Sequence, residues 1–123
     1  MNAKHYVSLD AAKKLKELGY NDEYQVHYYN NNGEIVTPWC GDDDYNEDEH
    51  YPCVSLLEAM DWLEERGMSI NVYLLESFKH KGFTYCIAFA DVKNNIYSND
   101  NNEFFPDKYS AYHAAIIKAC EML

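Results

Sequence analysis

Asp42, Asp44 and Asn46 stand at alternate positions, the spacing at which an EF-hand loop offers its first three oxygen ligands to calcium. The remainder of that loop is missing. Its sixth position needs a glycine and carries Glu47; its twelfth needs a bidentate glutamate and carries Cys53. A second register, Asp44, Asn46 and Asp48, puts Glu49 and Ser55 at those positions and fails equally. A divalent-cation-binding domain acting through this acidic loop is therefore the alternative reading. A solvated acidic surface is the commoner outcome of such a run.

Cys40, His50 and Cys53 carry soft donors suited to zinc. Their Cys-x9-His-x2-Cys spacing matches no paired knuckle, and the nearby sequence supplies no fourth ligand. The same cysteines make poor nucleophiles, because so many neighbouring carboxylates disfavour a thiolate. His5, His27, His50, His80 and His113 are dispersed; only His27, in a strand pattern, and His113, in a helix pattern, could meet in space. No Gly-rich phosphate loop, Gly-x-Ser-x-Gly elbow or His-Glu-x-x-His pair is present. The sequence nominates no catalytic residue, no metal ligand set and no cofactor.

Charge carries more information. Ten of the 21 carboxylates (Asp42, Asp43, Asp44, Glu47, Asp48, Glu49, Glu58, Asp61, Glu64 and Glu65) fall within residues 42–65, where there is no Lys or Arg. The remaining eleven acids are balanced by all ten bases, so the net charge of −11 is almost wholly a property of that window. Such a surface argues against direct binding of nucleic-acid phosphate, which needs clustered Lys and Arg.

The element that carries half of this window is the clearest in the chain. Ser55 at an N-cap position, Glu58 three residues later and Gly67 at the end define a capped helix over residues 52–67. Leu56, Ala59, Met60 and Leu63 form one apolar stripe at 100° per residue, with Glu58, Asp61 and Glu65 on the opposite side. Those three acids are like-charge neighbours, so a basic surface would relieve them. The internal candidates are Lys13, Lys14 and Lys16 on an earlier helix that runs from a Ser8 cap to a Gly19 stop, with Ala11, Leu15 and Leu18 as its packing face.

Between the two helices, an aromatic and β-branched run at 24–29, the break Asn30-Asn31-Asn32-Gly33 and a second run at 34–37 spell a hairpin. Residues 39–51 read as a long, mobile acidic loop. After the organising helix, Ile70, Val72 and Leu74 alternate with Asn71, Tyr73 and Leu75; Lys79 to Gly82 turn the chain. Phe83, Tyr85, Ile87 and Phe89 then face one way. Thr84, Cys86, Ala88 and Ala90 form a small-residue face that predicts close approach of a helix. Ile96 and Tyr97 add a short last strand. A terminal helix follows Asp107, with Tyr112, Ala115, Ile116, Ala119 and Met122 or Leu123 at helical spacing.

The expected fold is therefore a single α+β domain over residues 1–123: an antiparallel sheet of four or five strands with three helices, in the order α-β-β-α-β-β-(β)-α, and an acidic loop at 39–51. With 123 residues and 47% hydrophobic content it needs no metal or disulfide for stability. No apolar run reaches signal-peptide or membrane-span length, which points to the cytoplasm and to reduced cysteines, Cys86 and Cys120 as small core residues. Twelve tyrosines are many for this length. Tyr24, Tyr28, Tyr29, Tyr45 and Tyr51, beside the hairpin and acidic loop, suit either an interface or a tyrosine-rich sheet face. The outer hairpin strands also offer edges at which two copies could form a homodimer.

Ser8-Leu9 with Ala12, Leu15-Lys16-Glu17-Leu18-Gly19-Tyr20, Pro52 with Ser55-Leu56, Ala59 and Trp62-Leu63, and the Ala- and Ile-rich last helix resemble a group of small uncharacterised proteins from phages and integrated mobile elements. The matching residues pack and cap. That group carries no assigned activity, so the resemblance transfers no functional residue. Taken together, the sequence points to a non-enzymatic accessory or interaction protein that presents the acids of residues 42–65 to a basic protein partner, with mimicry of DNA as a special case.

Overall fold

Two serines and an aspartate start the helices. In the computed structural model, which describes residues 3–21, 25–37, 49–76, 81–89, 96–98 and 104–123, helix α1 spans Leu9–Glu17, α2 Leu56–Glu65 and α3 Lys108–Met122. Ser8 Oγ accepts the Ala11 amide at 3.3 Å, Ser55 Oγ the Glu58 amide at 3.2 Å and Asp107 Oδ1 the Ser110 amide at 2.8 Å. Each bond satisfies one of the amides a first helical turn leaves open. At α2 the Ser55 hydroxyl also donates to Glu58 Oε1 at 3.1 Å, so the carboxylate grips the side chain of the cap. Gly19 and Gly67, at φ 98° and 88°, supply the left-handed residue that stops α1 and α2.

The strands are β1 Tyr28–Tyr29, β2 Ile35–Val36, β3 Tyr51–Pro52, β4 Met68–Glu76, β5 Lys81–Phe89 and β6 Ile96–Ser98. At the first hairpin, Asn30 Oδ1 accepts the amides of Asn32 and Glu34, both at 2.9 Å, and closes the turn. The expected single sheet of four or five strands is corrected to two three-stranded antiparallel sheets, ordered β2-β1-β3 and β4-β5-β6. The reason lies in β3. Tyr51 and Pro52 pair with Tyr29 and Tyr28, so β1 gains its second neighbour from this short segment and not from the β4–β5 hairpin, which pairs instead with β6.

In the larger sheet β4 and β5 pair without interruption from Met68↔Phe89 to Glu76↔Lys81. Met68, Ile70 and Val72 share one face with Tyr85, Ile87 and Phe89, and this large-residue face enters the core. The expectation that a helix would approach the small face is thereby overturned. Burying the larger apolar area is worth more than the closer approach that Thr84, Cys86 and Ala88 would allow. Thr84 is nevertheless fully buried on that reverse face, and its hydroxyl has no hydrogen-bond partner among the described residues. Gly82 is needed where Phe105 crosses: a Cβ there would lie 3.0 Å from the Phe105 carbonyl.

Helix α3 touches α1, α2, β4 and β5 and is the centre of the assembly. Its buried stripe is Ala111, Ala115, Ile116, Ala119 and Cys120: Ala115, Ile116 and Ala119 are buried as expected, while at the ends Ala111 and Cys120 take the places expected for Tyr112, which is half-buried, and for Met122 or Leu123, which are exposed. Alanines at 11, 12, 115 and 119, all buried, keep α1 and α3 thin where they meet. One contiguous core joins residues from all three helices with Tyr29, Cys53 and Val54 from the smaller sheet and its exit.

Candidate functional site

The acids proposed as a binding surface divide into three groups. Glu58, Asp61 and Glu65 share the exposed face of α2, together with Glu64. Their position follows from the opposite stripe: burial of Leu56, Ala59 and Leu63 leaves the charged side in water. Glu49 is exposed, two residues before β3. Asp42, Asp43, Asp44, Glu47 and Asp48 lie outside the described residues, as does most of the 39–51 loop.

Among the described residues no cation forms an ion pair with the α2 face. Among the described residues the one ion pair links Lys14 Nζ to Glu121 at 4.0 Å, on α1 and α3. Arg66, the cation next in sequence to the acidic face, lays its guanidinium 3.4 Å from the Trp62 ring centroid and donates to the Trp62 carbonyl at 3.3 Å. The lysines of α1, the internal candidates for this role, turn elsewhere. Lys13 and Lys16 hold their ammonium groups 5.3 and 5.0 Å from the Tyr51 ring centroid, and Lys16 Nζ donates to the His50 carbonyl at 2.9 Å. These three side chains and Glu17 line an open depression of about 360 Å³. Sequence reasoning missed this arrangement. The lysine spacing was visible, but nothing local indicates that a tyrosine from a two-residue strand arrives over it.

The cysteine and histidine candidates separate as well. Cys53 is buried in the core, and burial, rather than the neighbouring carboxylates, is the main reason its thiol is held above the ordinary range; contact with Tyr29 lowers it partly. Tyr29 is itself buried, donates its hydroxyl to the Val7 carbonyl and titrates well above a free phenol, chiefly through desolvation. A thiol sealed in this way is neither a metal ligand at a loop nor a nucleophile. Cys120 is buried as expected and its thiol is pushed up to about 11 by burial; Cys86 is only half-buried, on the reverse face of the sheet. His27 and His113 are engaged apart. His27 Nδ1 lies 3.1 Å from Thr37 Oγ1, and His113 Nε2 lies 3.1 Å from the Lys4 carbonyl. Cys40 and His80 are outside the described residues.

Among the described residues no three His, Cys, Asp or Glu side chains are arranged to hold a metal ion. Of the tyrosines beside the hairpin and acidic loop, Tyr29 is a core residue and Tyr51 is clasped by lysines, while Tyr24 and Tyr45 lie outside the described residues. No described helix is long and apolar enough to cross a membrane. Compared with protein-family models, with curated proteins and with solved structures, the chain gave no match in any of the three.

Proposed function

We propose that the protein is a non-enzymatic interaction module of the cytoplasm that presents the acids of residues 42–65 to a basic surface on another protein. The observation that carries this reading is the unneutralised α2 face. Asp61, Glu64 and Glu65 stand exposed with no ion pair among the described residues, while Lys13, Lys14, Lys16 and Arg66 engage Tyr51, Glu121, the His50 carbonyl and Trp62. Like charges at i,i+3 and i,i+4 cost a few tenths of a kcal/mol per pair, and a basic partner would remove that cost while being steered in by the long-range field. Mimicry of DNA toward a nucleic-acid-binding protein is the narrower form of the same reading, as is descent from a phage or mobile element.

The test is affinity capture from cell lysate with the wild-type chain and with a chain carrying Asp61→Asn, Glu64→Gln and Glu65→Gln. Partners recovered only by the wild type, and released by moderate salt, support the reading. Recovery of the same proteins by both chains removes it. DNA that displaces the captured partner identifies the mimic form.

A further inference from the structure

The described residues form four sheet edges, and three of them belong to strands of two or three residues, β2, β3 and β6. The fourth edge is β4, nine residues long. The direction of its backbone groups follows from its neighbour. Phe83 exchanges both backbone hydrogen bonds with Phe105, at 2.9 and 2.8 Å, so its amide and carbonyl point away from β4. Phe83 stands opposite Leu74, and orientation alternates along an antiparallel ladder. Ile70, Val72 and Leu74 therefore aim their N–H and C=O groups at the open edge, while Asn71 and Tyr73 bond to β5.

Among the described residues, β4 itself carries none of the devices that usually protect an edge. The strand contains no Pro, Lys or Arg, its unbroken register leaves no bulge, and its only acidic side chain, Glu76, is at the end. Leu74 is 54% exposed beside the edge, on the face that continues into the core. We propose that a second copy of this chain adds here, β4 against β4 in antiparallel pairing about a two-fold axis at Val72, to make one continuous six-stranded sheet from the two three-stranded ones. The strand is complementary to itself in that register. Ile70 meets Leu74 of the partner subunit, Val72 meets its own copy, and Glu76 meets Met68 of the partner subunit, so apolar side chains face one another and no like charges oppose. A basic peptide would find no acid along the strand to recognise.

The two copies each carry −11, so self-association strengthens as salt screens their repulsion. Binding of a basic partner responds in the opposite direction, which keeps this inference separate from the functional reading. Sedimentation velocity of the full chain over a range of concentration and salt is expected to show a monomer–dimer equilibrium that shifts toward dimer at higher salt. Leu74→Lys, at a position already half exposed, is expected to retain its circular dichroism spectrum and to weaken the dimer at least tenfold. Hydrogen exchange on the unmodified chain gives an independent readout. The amides of Ile70, Val72 and Leu74 are expected to slow in concentrated protein while those of Asn71 and Tyr73 stay slow throughout. A monomer under all conditions overturns the proposal, as does a dimer in which those three amides still exchange fast or which Leu74→Lys leaves equally tight.

Discussion

Helices α1 and α2 are built alike and use their charge differently. Each begins at a serine cap, ends at a glycine of positive φ and buries an apolar stripe, Ala11, Ala12 and Leu15 in one and Leu56, Ala59 and Leu63 in the other. On α1 the lysines turn inward along the surface, to the Tyr51 ring, the His50 carbonyl and Glu121. On α2, among the described residues, Glu58 alone of the acids is tied down, by the hydroxyl of its own cap. The charge of α1 fastens β3 to the helix layer; the charge of α2 fastens no other described element. Amphipathicity alone does not separate a structural helix from an interacting one. The partners of the polar face do.

The comparison is sharpest in the interior, where the helices should behave identically. Leu15→Ala and Leu63→Ala each remove a fully buried side chain and are expected to cost about 2–5 kcal/mol in denaturant melts. A much smaller loss at one of them would mean that its helix is not part of the shared core. Beneath α1, Cys120 brings a pH dependence. Its folded pKa, about 11, lies above the ordinary 9.0, so its contribution is complete below about pH 9 and is lost as pH rises toward 11. Stability should fall through that interval by on the order of 2–3 kcal/mol more than in Cys120→Ala, after each chain is referred to its own value at neutral pH.

Smaller effects probe the polar faces. Ser55→Ala is expected to cost about 1 kcal/mol, because it removes both the amide acceptor and the hydroxyl that holds Glu58. Tyr51→Leu should cost roughly 0.5–1 kcal/mol by removing the ring beneath Lys13 and Lys16. Asp61→Asn with Glu65→Gln should stabilise the chain slightly, by about 0.2–0.5 kcal/mol at low salt. A destabilisation there would show that those acids hold the fold together after all, and the contrast between the helices would dissolve.

Local chemistry made much of this fold legible before any coordinates. Caps at Ser8, Ser55 and Asp107, the glycine stops, the turn at Asn30 and the alternation along β4 and β5 are all set by near neighbours in sequence, and each appears where expected. What sequence could not show depends on pairing at a distance. Tyr51 and Pro52 have no strand pattern of their own; they become β3 only because β1 presents an edge. The face of β5 that meets the helices was misread from the small side chains of Thr84, Cys86 and Ala88, because total apolar area, summed over both strands, decided it. At the candidate site, the acidic stripe of α2 was readable from periodicity alone. The fate of Lys13, Lys14 and Lys16 was not, since their partners Tyr51, His50 and Glu121 arrive through the tertiary fold, whereas Arg66 lies on Trp62, only four residues back in sequence.

The account rests on the α2 acids acting on another molecule. Its most direct test is the association rate of the captured partner with wild-type and Asp61→Asn, Glu64→Gln, Glu65→Gln chains, measured across ionic strength. A wild-type rate that falls steeply with salt, and a variant rate that is both lower and flatter, is the predicted result. Equal rates with the same salt slope would contradict it.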